Sequence, residues 1–92
     1  MQIKVESTFE RGLKSLPPDR ARAAIKSLQL FIEAPNLPRL RFRELKGIKG
    51  FYIISSKGGD RIILRKDESD VYAAVDVGPH DNVYRRWSRV SG

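Results

Sequence analysis

The sequence contains no cysteine, which excludes disulfides and thiolate metal ligation. It has one histidine, His80, so a histidine cluster for a metal is excluded too, and neither metal nor cofactor is expected. No apolar run approaches the ~20 residues that a membrane-spanning helix needs. The opening MQIKVEST lacks the apolar stretch of a secretory signal, so the expectation is a cytoplasmic protein without a membrane partner. No Gly-rich loop leads into a helix as in a P-loop, and no G-x-S-x-G marks a serine hydrolase. The 92 residues include no candidate linker and read as one domain, 1–92.

Acidic charge is also scarce. Eighteen Lys and Arg face eleven Asp and Glu, a net charge of +7. The whole excess lies in residues 39–66, where nine bases (Arg39, Arg41, Arg43, Lys46, Lys49, Lys57, Arg61, Arg65, Lys66) meet two acids, Glu44 and Asp60. The rest of the chain is balanced. A basic half joined to a neutral half suits a phosphate-binding face. A surface for an acidic protein, or a merely solvated strand face, has the same composition.

Ile3 and Val5 alternate with polar neighbours, which predicts a short half-buried strand. Ser7 and Glu10 have capping-box spacing, and Phe9, Leu13 and Leu16 form a helical stripe. Pro17-Pro18 stops that helix and opens a second one, in which Ala21, Ala24, Ile25, Leu28, Phe31 and Ile32 keep the helical period up to Pro35. Arg39, Arg41 and Arg43 then alternate with Leu40 and Phe42, which predicts a strand with its arginines outward. Phe51 to Ile54, Arg61 to Arg65 and Val71 to Val77 read as strands, with Lys57-Gly58-Gly59-Asp60 and Asp67 to Asp70 as turns. Gly78-Pro79 ends the last strand and opens a short helix reaching Trp87. The expected fold is α+β: a two-helix hairpin on one face of a mostly antiparallel four- to five-stranded sheet, plus a short C-terminal helix. The second sheet face is expected to stay open and basic.

The chemistry-bearing residues gather around Asp60 to Trp87. RNA cleavage needs a base for the 2′-hydroxyl, an acid for the leaving 5′-oxygen and cations for the charge that builds on phosphorus. Imidazole ordinarily titrates near pH ~6.5, so His80 suits either proton transfer. Tyr84 lies four residues on, on the same face of a helix, where it can transfer a proton or stack on a base. Arg61, with Arg65 or Arg85, can neutralise the phosphate. The bland alternative for His80 is a surface or capping residue.

The order and spacing of Leu16-Pro17, Leu45-Lys46-Gly47, Arg61-Ile62-Ile63 and Val77-Gly78-Pro79-His80 with Tyr84 resemble the RelE/ParE toxin superfamily, from Val5 to Trp87. The resemblance implies a small α+β toxin of a toxin–antitoxin pair. In RelE-type members it implies a metal-independent endoribonuclease that cuts mRNA on the ribosome. It assigns Arg61 to the scissile phosphate, His80 to proton transfer, and Tyr84 to stacking or proton transfer. RNA contacts, to mRNA and rRNA, are expected from Arg39, Arg41, Arg43, Lys46, Lys49, Tyr52, Lys57, Arg65, Arg85 and Arg86. An acidic antitoxin is the expected protein partner. Tyr52 and Ile54 occupy positions where RelE itself carries two lysines. A ParE-like inhibitor of gyrase, or a non-toxic RNA- or protein-binding module, are the alternatives that the resemblance leaves open.

Overall fold

Strand β1 (Gln2–Val5) leads into two helices, α1 (Ser7–Lys14) and α2 (Pro18–Glu33). The chain then passes through a 3-10 turn at Pro38–Leu40 to β2 (Arg43–Glu44), β3 (Phe51–Ser55), β4 (Asp60–Glu68), β5 (Val71–Pro79) and α3 (His80–Trp87). This computed structural model describes residues 1–87. The five strands lie in the order β1-β5-β4-β3-β2. Only the β1–β5 pair is parallel; the other three are antiparallel. The α+β expectation is therefore met.

Strand alternation divides the apolar residues between the two faces. Ile54, Ile62, Leu64, Tyr72, Ala74 and Val77 meet Phe9, Leu16, Leu28 and Phe31 of α1 and α2 in the larger core. Ile53, Ile63, Ala73 and Val75 meet Val83 of α3 and Leu45 in a smaller one. The second face is thus not the open basic surface expected from the charge pattern. It is apolar enough to need a cover, and α3 supplies part of it.

A bulge in β5 decides what α3 finds there. Ile63 pairs with Asp76 but Leu64 pairs with Ala74, so Val75 is an extra residue. Val75 and Asp76 therefore both serve the α3 face, one packing in its core and the other bonding to the helix.

Among the described residues the outer edge of β5 beyond Val5 has no strand partner, and α1 takes over. The Thr8 hydroxyl donates to the Val75 carbonyl. Gly12 lies so close to β5 that a Cβ there would be 2.5 Å from the Val77 carbonyl oxygen. Edge groups are thereby shielded rather than left to pair with another chain.

Local chemistry corrects three expectations. Glu6, not Ser7, is the N-cap of α1, and the capping box does not form; the Glu6 amide bonds Ala74 O at the end of the β1 ladder, and Glu10 N bonds Glu6 O. Residues 39–45 do not form a continuous strand. Pro38 starts the 3-10 turn, and Arg41 follows with φ 50°, a left-handed backbone that breaks period two. Asp67 is not a turn residue: it lies in β4 and pairs with Lys4 at 2.9 Å and Arg65 at 2.7 Å. Those cations hold the Asp67 carboxyl well below the usual carboxylate range, Arg65 having the larger effect.

Candidate active site

The site is built where β5 runs without a loop into α3. Eight residues are too few for a helix to persist alone, so tertiary contacts must hold this one. Val83 is fully buried in the smaller core, flanked by Tyr84 and Trp87. Asp76 supplies the polar part of the attachment. It accepts from Arg86 Nε at 2.8 Å, Arg86 Nη2 at 3.1 Å, Trp87 Nε1 at 2.7 Å and its neighbour's amide, Val77 N, at 2.8 Å. Four donors on one buried carboxylate satisfy a charge that would otherwise be expensive in the sheet.

This attachment presents the first turn of α3 outward. His80 is half exposed, and its ring centroid lies 4.4 Å from that of Tyr84. His80 Nδ1 is 3.0 Å from the Asp81 carboxylate. A carboxylate only accepts, so this contact places a proton on Nδ1 and leaves Nε2 as the basic nitrogen of the neutral ring. Arg43 Nη2 donates to Tyr84 Oη at 3.3 Å, which leaves the phenolic proton free to be given away. His80, Tyr84 and Arg43 thus form one contiguous group.

Arg61 points to the same sheet face, by alternation with Ile63, and its Cα partners are Gly78 on β5 and Ser55 on β3. Arg61 Nη1 donates to Asp60 O at 3.0 Å, while its Nε is buried without a partner. Among the described residues it makes no ion pair.

The other expected RNA contacts divide sharply. Lys46 and Lys49 are exposed on the turn before β3, and Arg41 and Arg85 are exposed as well. Arg39 and Lys57 share a cleft against α2. Three of the expected contacts already have partners within the chain. Tyr52 faces the other way: it stacks on Phe42 at 5.1 Å and packs against Tyr72 in the larger core. Arg65 is engaged by Glu6 at 2.6 Å and Asp67 at 2.7 Å, and those bonds push its guanidinium above the ordinary arginine range. Arg86 is committed to Asp76. Asp76 and Ser55 did not figure among the sequence candidates. The signal for Asp76 was present, since a lone acid inside the apolar run VYAAVDV requires a buried partner.

The architecture decides what the chain is like. A chain of the RelBE2 toxin–antitoxin complex from Mycobacterium tuberculosis superposes with a TM-score of 0.68, covering 85% of this chain and 95% of that one at 20% identity. The chain has the RelE fold. A mutant Escherichia coli RelE toxin in the free state gives 0.69 over 97% of this chain and 93% of that one, at 18% identity. The RelB–RelE complex of Methanococcus jannaschii gives 0.69 over 88% and 94%, at 19%. No protein-family model and no curated protein sequence matches. The RelE fold fixes the scaffold and leaves the chemistry to be argued from these side chains.

Proposed function

We propose that this chain is the toxin of a toxin–antitoxin pair and cleaves mRNA on the ribosome, using its own side chains as acid and base. The observation that carries this reading is the His80–Tyr84–Arg43 group on the same sheet face as Arg61, a guanidinium with no ion-pair partner among the described residues. In the proposed step His80 Nε2 takes the proton of the 2′-hydroxyl. The 2′-oxygen attacks the adjacent phosphorus, and the bond to the 5′-oxygen breaks. Tyr84 returns a proton to that oxygen, leaving a 2′,3′-cyclic phosphate and a free 5′-hydroxyl. Arg61 holds the phosphate and meets its added charge. Arg43 orients Tyr84.

The partners that go with this reading are mRNA and rRNA in the cytoplasm and an acidic antitoxin. RelB–RelE and DinJ–YafQ complexes share this fold, which supports a protein partner of that kind. Expression from a tight promoter should arrest growth and yield mRNA cut at mapped positions by primer extension. His80→Ala should slow cleavage by ~10²–10⁴-fold, and Arg61→Ala by ~10²–10³-fold. Full toxicity in both single variants would overturn these roles. Arrest with DNA breaks and intact mRNA would make the target gyrase instead.

A further inference from the structure

A second basic site lies against α2. A cleft of about 540 Å³ is walled by Arg22, Lys26, Arg39 and Lys57, with Asp19 the single acid at its edge. That volume is in the range of ligand sites, ~300–1,000 Å³. All four cations are exposed, and among the described residues none makes an ion pair or a side-chain hydrogen bond. The contrast with Arg20, Arg65 and Arg86, each engaged by a carboxylate, is plain. Arg22 and Lys26 stand one turn apart on α2, on one face, and approach Arg39 and Lys57 from two other segments. The unneutralised charge therefore converges from three elements.

The cleft lies on the α2 side of the sheet and Arg61 on the α3 side. Ser55, at the end of β3, lines the cleft and is the cross-strand partner of Arg61, so the way from one to the other runs around this end of the strand. Directly opposed residues on paired strands are only ~5 Å apart. At this boundary the Ser55 hydroxyl and Arg61 Nε are both buried without a hydrogen-bond partner. Both atoms are closed to solvent, so it is the shared rung, not these two atoms, that links the cleft to Arg61.

We infer that this cleft holds the sugar–phosphate backbone of the RNA strand whose scissile phosphate lies at Arg61, gripping phosphates that flank the cut. The inference rests on the RNA reading above. A single strand is the ligand whose charge repeats along its length and whose path passes Arg61. Backbone contacts of this kind position a strand without reading its bases.

The test uses a 2′-O-methyl oligouridylate of twelve nucleotides, which lacks the attacking hydroxyl, and follows its binding by anisotropy over a range of salt. The double variant Arg22→Gln/Lys26→Gln should weaken binding ~10-fold or more. The slope of log K against log salt should fall by about 1.4, since each phosphate contact to a single strand contributes ~0.7. Lys14→Gln/Lys66→Gln removes the same charge from exposed positions outside the cleft and should change the slope little. Thermal midpoints of both doubles should match the parent, because all four positions are exposed. If the cleft double behaves like the control double, the inference falls. It falls equally if the cleft double keeps RNA affinity but loses binding of a twelve-residue oligoglutamate, which would make the cleft a protein surface. Cleavage by Arg61→Gln is scored separately: parental cleavage there, with the slope change in the cleft double intact, would overturn the catalytic assignment and leave the cleft.

Discussion

The two faces of the sheet are closed by different means. On one, α1 and α2 lay a broad apolar layer over the strands, and Phe31 meets Phe42 at 4.9 Å and Tyr72 at 5.3 Å in an aromatic cluster. On the other, an eight-residue helix is held by the buried Val83 with Tyr84 and Trp87 packed beside it, and by the Asp76 carboxylate. Apolar burial scales with area and resists local opening. A helix fixed by a few directional bonds can leave without unfolding the rest. The difference places the durable part of the molecule under α1 and α2 and the removable part beside the candidate active site.

The largest break in this contrast should come from Phe31→Ala. It opens a cavity in the broad core, at a cost of about 3–5 kcal/mol, and should lower the urea midpoint of the whole chain. Gly12→Ala comes next. Alanine gains up to about 1 kcal/mol in helix propensity, but its Cβ would be 2.5 Å from the Val77 carbonyl oxygen. Backbone cannot give way cheaply, so a net loss within the ~1–3 kcal/mol typical of overpacking is expected.

Asp76→Ala should sharpen the contrast. It strands the Trp87 and Val77 N–H groups at about 1–3 kcal/mol, and the loss should be local. Trp87 is the only tryptophan, so its emission should shift to the red before the far-ultraviolet dichroism of the sheet changes. Simultaneous transitions would mean that α3 is not a separate unit. The smallest effect concerns acid. The Asp67 carboxyl is held low by Arg65 and Lys4, so its contribution is present above the ordinary carboxylate pKa of ~3.9. It is lost as pH falls toward the lower folded value. Asp67→Asn should therefore show a smaller drop in urea midpoint than the parent between about pH 6 and pH 2.5.

The sequence made the element order legible because proline, glycine and apolar period act locally. Pro17-Pro18 separates two helices, and Gly58-Gly59 turns a hairpin with φ of 74° and 83°. The 39–45 segment misled because Arg41 sits in a left-handed turn that no spacing of arginines announces. Charge misled in a second way. Counting cations found the basic half, but it could not distinguish a guanidinium spent on Asp76 or Glu6 from one left unpaired. Those partners lie 10 and 59 positions away along the chain. Arg61, His80 and Tyr84 were legible as residue types, and two of them proved to be in contact. Ser55 was not, since a serine at a strand end carries no signal until its neighbour across the ladder is known.

The direct junction of β5 with α3 also dictates how inhibition could proceed. Pro79 belongs to the strand and His80 to the helix, so any levering of α3 pivots at the imidazole itself. A partner that prised the helix off would carry the phenol through a wide arc while barely moving the histidine. Inactivation by that route would separate the proposed base from the proposed acid and leave the former where it was.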